Sequence, residues 1–315
     1  MTPVSTVPTP YRIAIVGVGK IARDQHLPAI RNNPDFELAA TVSRNGTIED
    51  VEAFTDLQTM LAQRPDITVV ALCMPPQVRY GYAMTAIAAG RHILLEKPPG
   101  ATLSEVGSLR TEAARHNVTI FATWHSRFAP AVEATRQKLA QTRIRQLHIN
   151  WKEDVRRWHP GQDWIWQAGG LGVFDPGINA LSILTEIMPH PVHLTNAVLE
   201  FPANRDTPIA ARLDFADPTG AEVNAVFDWR QEGPQSWDIH IETDAGSLQL
   251  LDGGARLLID GTTIGAEAEQ EYPLLYVKFS ELLRQQISDI DVSPLRHVAD
   301  AFMLGRRVEV GSFED

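Results

Sequence analysis

A glycine-rich turn near the start of the chain has the spacing needed to bind phosphate groups. Residues 17–22 read Gly-Val-Gly-Lys-Ile-Ala, the pattern G-x-G-x-x-A. In such a turn Gly17 permits a sharp bend, Gly19 lets the backbone approach a pyrophosphate, and a small third residue lets the next helix pack closely. The start of that helix, at Lys20 and Ile21, offers unpaired backbone N–H groups to the phosphates. We predict a dinucleotide site; the alternative is a glycine turn in an α/β domain that binds another ligand.

The residues expected at the end of the second strand bear on the choice of dinucleotide. An acidic residue at this place selects NAD, whereas an arginine accommodates the 2′-phosphate of NADP. This chain has Ser43 and Arg44 there. Ser43 can hydrogen-bond a phosphate, and Arg44 can pair with one through two N–H groups. We predict NADP as the preferred cofactor with NAD also possible; the alternative is that Arg44 is an ordinary surface residue and NAD serves equally well.

A third motif, Glu96, Lys97 and Pro98, follows the short apolar strand expected at 91–95. Ligands of open α/β sheets bind at the carboxyl ends of the strands. A lysine there could stabilise a developing oxyanion. Taken alone, Glu-Lys-Pro indicates only a turn with an exposed lysine. It becomes more specific because the glycine turn precedes it by about 80 residues.

Asp175 and Asn179 stand four residues apart at the start of an expected helix. At this spacing both side chains lie on one helix face and can reach the same pocket. Asparagine does not titrate, so Asn179 can orient a hydroxyl but cannot accept its proton. A proton acceptor must therefore be sought in Asp175, in Lys97 in its neutral form, or in a chain of waters.

An aromatic segment precedes this pair. Four of the seven tryptophans fall within residues 151–166. Flat aromatic rings can pack on the C–H face of a sugar while their N–H edges form hydrogen bonds. Trp158 and the more distant Trp237 are candidate walls, and Glu153 and His159 could hydrogen-bond sugar hydroxyls. The alternative is a tryptophan-lined core or subunit interface.

These motifs together resemble those of the glucose–fructose oxidoreductase / inositol dehydrogenase (Gfo/Idh/MocA) family of NAD(P)-dependent sugar enzymes. Besides the glycine turn and Glu-Lys-Pro, the matching segments are 124–130 (Trp-His-Ser-Arg-Phe-Ala-Pro) and 169–179 (Gly-Gly-Leu-Gly-Val-Phe-Asp-Pro-Gly-Ile-Asn). The resemblance implies a Rossmann domain followed by an open-faced sheet domain. It also implies cofactor contact at Glu96 and Lys97, substrate contact at His125, and a homodimer or higher homo-oligomer.

One departure from the family pattern concerns the proton acceptor, because the family's usual catalytic histidine is replaced here by Asn179. This Asp-Asn variant, with the aromatic segment, looks most like the L-arabinose / D-galactose 1-dehydrogenases. The resemblance implies oxidation of a free aldose at C1 to its lactone, with Lys97, Asp175 and Asn179 in the catalytic site. The alternatives are oxidation at another sugar or cyclitol carbon, or a non-catalytic dinucleotide- or sugar-sensing protein.

The elements that must position these residues change character along the chain. Strand and helix patterns alternate up to about Ser126, which predicts a parallel, doubly wound sheet; the segment 50–63 reads as one of its helices. Beyond it, a series of strands with few helices predicts an α+β domain with a large, open, mostly antiparallel sheet. We expect a flexible start over 1–10, a Rossmann domain over 11–126 and a substrate and oligomerisation domain over 127–315, with the C-terminal helix packing back on the first domain.

Composition narrows the possible partners. The 315 residues carry 28 Lys and Arg against 39 Asp and Glu, a net charge of −11, which argues against nucleic acid as a partner. The single cysteine and the absence of a signal-peptide pattern favour the cytoplasm. Apolar runs are too short to span a membrane, and no metal site is expected.

Overall fold

In a computed structural model of the chain, the structure describes residues 9–266 and 270–314. The expected flexible start therefore lies outside the described residues except for Thr9 and Pro10. The chain divides into two compact units. Unit 1 runs to Thr123 and includes Tyr272–Asp291; unit 2 comprises Trp124–Glu271 and Val292–Asp315. The first boundary thus follows Thr123 rather than Ser126, and the returning segment includes most of the second-last helix, not the last one.

Unit 1 contains a six-stranded parallel sheet, in agreement with the predicted Rossmann domain. The strand order is β3-β2-β1-β4-β5-β6, so the order reverses between β1 and β4. The strands are β1 Tyr11–Val16, β2 Phe36–Val42, β3 Glu52–Phe54, β4 Val69–Leu72, β5 His92–Leu95 and β6 Ile120–Ala122. A π-helical turn, Ala22–His26, precedes α1; the helices are α1 Leu27–Arg31, α2 Leu57–Gln63, α3 Pro76–Ala88, α4 Leu103–Arg115 and α8 Glu271–Gln285.

The central strands of this sheet are buried on both faces, which explains why they read as continuous apolar runs. All four residues of β4 are fully buried, and so are Ile93, Leu94 and Leu95 of β5. Each of these valine, isoleucine and leucine side chains contributes on the order of 1.5–3 kcal/mol by leaving water. The carboxyl ends of β1, β4 and β5 are thereby held as a fixed edge for the turns that follow them.

The expected helix over 50–63 is wrong in its first half. Glu52–Phe54 is the edge strand β3, paired in parallel with Ala40–Val42 of β2. The helix begins only at Leu57, because the carboxylate of Asp56 accepts the backbone N–H of Thr59 at 2.8 Å and caps the helix there. Pairing with β2 outweighs the helical spacing of the apolar residues.

Unit 2 contains a nine-stranded, mostly antiparallel sheet, as predicted. Its order is β14-β13-β12-β11-β7-β10-β9-β8-β15, and the pairs β7–β10 and β8–β15 are parallel. Two edge strands, β14 and β15, were not anticipated. The strands are β7 Ile144–Lys152, β8 His193–Pro202, β9 Ala210–Ala216, β10 Glu222–Asp228, β11 Ser236–Thr243, β12 Gly246–Leu251, β13 Arg256–Ile259, β14 Thr262–Ala266 and β15 Arg306–Val310. The helices are α5 Val132–Leu139, α6 Val155–Trp158, α7 Phe174–Ile187 and α9 Ser293–Leu304.

The two faces of this sheet differ in polarity. Inward residues such as Leu147, Ile149 and Ala225 are fully buried, and α7 contacts β7. The alternate residues, among them His148 and Asn224, are half-buried and polar, and these two are joined by a hydrogen bond. The outward side chains of the central strands are therefore mainly polar.

Candidate active site

The glycine turn of unit 1 has the geometry expected of a pyrophosphate cradle. Gly17 has φ +91°, and a Cβ there would lie 2.8 Å from the backbone nitrogen of Met74, so only glycine fits. At Gly19 a Cβ would have no protein atom within 4 Å, which leaves that side of the turn open. Ala22 is fully buried where the helix meets the sheet. These residues therefore fit a dinucleotide.

The residues next to this turn divide into two groups. Ile21 is half-buried, and the exposed ammonium of Lys20 pairs with Asp24 on the same helix, so Lys20 offers its backbone rather than its charge. Ser43 and Arg44 follow β2, with Ser43 half-buried and Arg44 exposed.

A further arginine, missed by the sequence analysis, lies beside the same loop. Arg23 donates from Nη2 to the carbonyl of Thr47 at 2.9 Å, and a Cβ placed on Gly46 would lie 3.3 Å from that nitrogen. Its position one turn into the helix after the glycines was the available signal. A second guanidinium therefore lies beside the loop that begins with Ser43 and Arg44.

The Glu-Lys-Pro turn is held from two sides. The carboxylate of Glu96 is buried, and its Oε2 accepts the backbone N–H of Lys97 at 2.7 Å. Arg79 on α3 donates to the carbonyl oxygens of both Glu96 and Pro98. Burial lowers the pKa of this guanidinium to about 10. Arg79 was not anticipated, because an arginine in a helix usually lies on the solvent face.

In unit 2, Glu153 is the centre of a hydrogen-bonded cluster that joins three of the predicted substrate residues. Its carboxylate is 6% exposed. The indole N–H of Trp237 donates to Oε2 at 2.9 Å, and that of Trp229 donates to Oε1 at 3.2 Å. The Nε2 of His159 lies 3.5 Å from Oε1. Hydrogen bonds from two rigid rings fix the orientation of the carboxylate.

His159 connects this carboxylate to Asp175. Its Nδ1 lies 3.7 Å from Oδ2 of Asp175, which is 6% exposed at the start of α7. This Nδ1 is buried and makes no hydrogen bond to any residue that the structure describes. A buried ring nitrogen without such a bond is costly, so a bound hydroxyl or water is the natural partner here. An imidazole thus stands between two carboxylates.

The local sequence explains how His159 reaches this position. Asp154 caps the short helix α6 by accepting the N–H of Arg156, and the N–H of His159 closes that helix on the carbonyl of Val155 at 2.8 Å. The His159 ring packs 5.2 Å from the ring of Trp229, centroid to centroid. Backbone and ring contacts together hold the imidazole in place.

The remaining predicted residues of unit 2 lie in different settings. Asn179 is half-buried one turn after Asp175 on α7. Trp158 is 40% exposed, and its ring meets Trp237 edge-on at 5.5 Å. His125 forms a hydrogen bond with Glu271.

The tryptophans named here differ in how deeply they are buried. Trp151 and Trp166 are buried in the core, as is Trp229, which the sequence analysis did not single out. Trp158, Trp164 and Trp237 are the partly exposed members. The contact of Trp229 with Glu153 could have been anticipated only from strand pairing. Trp229 directly follows β10 and Glu153 directly follows β7, and these two strands are neighbours.

The described residues contain no group of three or more His, Cys, Asp or Glu side chains arranged to hold a metal ion. Among the same residues, no helix is long and apolar enough to cross a membrane. These side chains suit acid–base chemistry. Unit 2 contributes the carboxylates of Glu153 and Asp175 and the imidazole of His159, and unit 1 contributes Lys97, whose backbone is held by Glu96.

Comparison with known proteins places this architecture in a family. Residues 11–123 match the family model GFO_IDH_MocA, an oxidoreductase family with an NAD-binding Rossmann fold. The galactose 1-dehydrogenase of Pseudomonas fluorescens is 44% identical over 306 residues, covering 97% of this chain and 99% of that protein. The chain belongs to the Gfo/Idh/MocA family of oxidoreductases.

Solved structures agree with this assignment. The crystal structure of a D-galactose-1-dehydrogenase protein from Rhizobium etli is 60% identical, with a TM-score of 0.95 over 98% of this chain and 99% of that one. A 3-ketoreductase from Actinomadura kijaniata, in complex with NADP and TDP-benzene, has a TM-score of 0.83 over 96% of this chain and 99% of its own, at 18% identity. The latter shows only that the fold is shared.

Proposed function

We propose that this protein is an aldose 1-dehydrogenase that oxidises D-galactose, L-arabinose or both at C1 to the aldonolactone. The observation that carries the proposal is the cluster of Glu153, His159 and Asp175, with two indole N–H groups on one carboxylate. Buried carboxylates with fixed orientation suit the hydroxyls of a sugar. The galactose 1-dehydrogenases of Pseudomonas fluorescens and Rhizobium etli, similar over nearly the whole chain, support the same substrate class.

Each residue of the cluster has a distinct role in this proposal. Asp175 accepts the proton of the anomeric hydroxyl, which is more acidic than that of an ordinary alcohol. The Nδ1 of His159 faces Asp175 and can donate a hydrogen bond to it or accept one from a sugar hydroxyl. Glu153 accepts hydrogen bonds from ring hydroxyls, with Trp158 and Trp237 packing on the C–H face. Asn179 orients a hydroxyl without titrating.

We propose NADP as the preferred cofactor, with NAD as an alternative. Arg44 and Ser43 would hold the 2′-phosphate, with Arg23 close by, while the turn at Gly17 and Gly19 would hold the pyrophosphate. When bound, the cofactor would supply the acceptor for the hydride that leaves C1. Lys97 supplies positive charge that stabilises the developing oxyanion.

The assay for this proposal is absorbance at 340 nm with purified protein, either cofactor, and a panel of free aldoses and inositols. Rapid reduction with galactose or arabinose would support C1 oxidation, provided that the lactone is identified as the product. Reduction with inositols or other sugars alone would favour oxidation at another carbon. Cofactor binding without turnover for any sugar would favour a sensing protein.

Two further parts of the proposal concern the protein's surroundings. The family resemblance leads us to propose a homodimer or higher homo-oligomer, which sedimentation equilibrium would measure. We also propose a cytoplasmic location, supported by the single cysteine. Subcellular fractionation of the source cells with an antibody against this chain would test it.

A further inference from the structure

His26 is a completely buried histidine whose two ring nitrogens both have partners. It ends the π-helical turn that follows the glycine fingerprint and is 0% exposed. Its Nδ1 lies 2.8 Å from the hydroxyl oxygen of Tyr276, and its Nε2 lies 3.0 Å from Oε1 of Glu96. None of the roles proposed above uses this histidine.

The carboxylate of Glu96 connects His26 to the backbone of Lys97. Oε1 accepts hydrogen bonds from the ring of His26 and from the hydroxyl of Tyr272, the latter at 2.7 Å. Oε2 accepts the N–H of Lys97 at 2.7 Å. The same carboxylate thus binds a buried imidazole on one oxygen and the peptide that presents Lys97 on the other.

The groups around His26 and Glu96 favour a protonated imidazole paired with an ionised carboxylate. Burial alone lowers the pKa of the His26 imidazole, but Cys73, Tyr276 and Glu96 outweigh it and raise this pKa well above its ordinary value. A buried carboxylate is costly without a compensating cation. The groups that face the pair are Cys73 after β4, Arg79 on α3, and Tyr272 and Tyr276 on α8.

Tyr276 allows the ring to be doubly protonated. Burial raises the pKa of Tyr276 to about 12, so its oxygen is a neutral hydroxyl that can accept the Nδ1–H of His26. The Nε2–H then donates to Glu96. A neutral imidazole carries only one N–H and could donate to only one of these oxygens.

We propose that His26 is a positioning residue that acts through Glu96 to fix the Lys97 backbone in the orientation that turnover requires. This inference rests on the role proposed above for Lys97. Removing the charge of His26 leaves a buried carboxylate that gains by taking up a proton, and a protonated Glu96 is a weaker acceptor for the Lys97 N–H. Small misplacements of a catalytic group cost up to about 100-fold in rate.

The test variant is His26→Gln, whose amide can donate to Glu96 and accept from Tyr276 without a charge. We expect kcat at pH 7 to fall between about 10-fold and 100-fold, with sugar KM and NADP Kd changed less than about twofold. The loss should shrink as pH rises, because Glu96 regains its charge. A kcat lowered by the same factor at every pH would overturn the proposal.

The matched control is His92→Gln, which removes a partly buried histidine from the same unit. His92 accepts the N–H of Thr119 at 2.9 Å, and burial lowers its pKa, so it is neutral at pH 7. We expect this control to reduce stability without changing the pH profile of kcat. If His26→Gln does not fold, Tyr272→Phe can replace it, because it removes one donor to Glu96. This variant should show a smaller, pH-dependent loss of kcat.

Two measurements test the network without turnover and so separate it from the proposed reaction. Histidine ring ¹⁵N NMR at pH 8 should show a doubly protonated ring that is missing in His26→Gln; a neutral His26 would overturn the proposal. Hydrogen exchange at the Lys97 amide should accelerate at least about tenfold in His26→Gln but not in His92→Gln. Unchanged exchange at the Lys97 amide would also overturn the proposal. If the doubly protonated ring and the faster exchange are both found in a protein that oxidises no sugar, only the proposed reaction is refuted.

Discussion

Replacement of Asp175 by asparagine tests the assignment of the proton acceptor most directly. The two side chains have nearly the same shape, so the change removes a charge and a basic oxygen while the packing around α7 is kept. Asp175 is 6% exposed, which leaves little space for water to take over its role. The nearby imidazole of His159, 3.7 Å away, would lose its anionic neighbour.

The expected magnitude separates a base from a residue that only binds. A positioned general base contributes about 10²–10⁴-fold to the rate. Because Asp175 is buried, we expect a loss in kcat near about 10³-fold, or roughly 4 kcal/mol in the barrier. A hydrogen bond to a charged group contributes only about 1.5–3 kcal/mol, and if it served binding alone the loss would fall mainly on KM.

The assay is steady-state turnover with galactose and arabinose, combined with cofactor titration and thermal unfolding. We expect NADP binding to be unchanged. Loss of the carboxylate from the first turn of α7 should cost only about 0.3–1 kcal/mol of stability. The control is Asp163→Asn, which removes an exposed carboxylate from the same aromatic segment and should retain full activity.

Two results would refute the reasoning. If Asp175→Asn kept a near-full rate, Asp175 could not be the proton acceptor, and His159 or a water chain would take its place. If kcat/KM fell only through KM, Asp175 would be a binding residue. In the expected case the variant's residual rate should increase with hydroxide concentration, because no protein base then competes with the solvent.

Three further predictions follow from other parts of the structure. Arg44→Ala should weaken NADP binding at least about tenfold but NAD binding little, as measured by calorimetry; equal losses would remove the 2′-phosphate role. Trp237→Phe keeps an aromatic ring, although a smaller one, and removes the 2.9 Å hydrogen bond to Glu153, so sugar KM should rise about tenfold with a smaller change in kcat; an unchanged KM would contradict the role of Glu153 in binding. Because the pKa of His26 is raised in the folded protein, its stabilisation is complete below about pH 6.5 and is lost as pH rises through the folded value. Urea unfolding between pH 7 and 10 should therefore show a smaller loss of stability in the double variant His26→Gln/Glu96→Gln, in which neither group titrates, than in the unaltered protein; equal losses would contradict it.

The fold was predictable where local pattern and tertiary environment agree. Strands buried on both faces read as apolar runs, so β4 and β5 could be found from composition alone. Segment 50–63 shows the limit, because Phe54 fits a helical spacing yet lies in an edge strand beside β2. The parallel edge strand β15, Arg306–Val310, was missed because its pairing with β8 is far away in sequence and has no local signal.

The candidate site was predictable as a set of residue types but not as a set of contacts. Glu153, His159 and Trp237 were selected because their chemistry suits a sugar, and the structure joins all three. The second indole donor, Trp229, is a core residue by burial and carried no distinguishing pattern. His26 was missed for a related reason, since a buried histidine is recognisable only once Glu96 and the tyrosines of α8 are placed around it.

The replacement of the family's usual histidine by Asn179 gains a physical explanation from His159. Family resemblance places an imidazole four residues after the aspartate on α7, where this chain has an amide that cannot titrate. The structure instead brings an imidazole to Asp175 from the end of α6, with Nδ1 3.7 Å from Oδ2. An imidazole beside this carboxylate can therefore come from either of two elements. The presence of Asn179 in place of the histidine is therefore only weak evidence for a non-catalytic protein. If so, His159→Gln should lower kcat by more than Asn179→Ala does, and the opposite order would return the catalytic role to α7 alone.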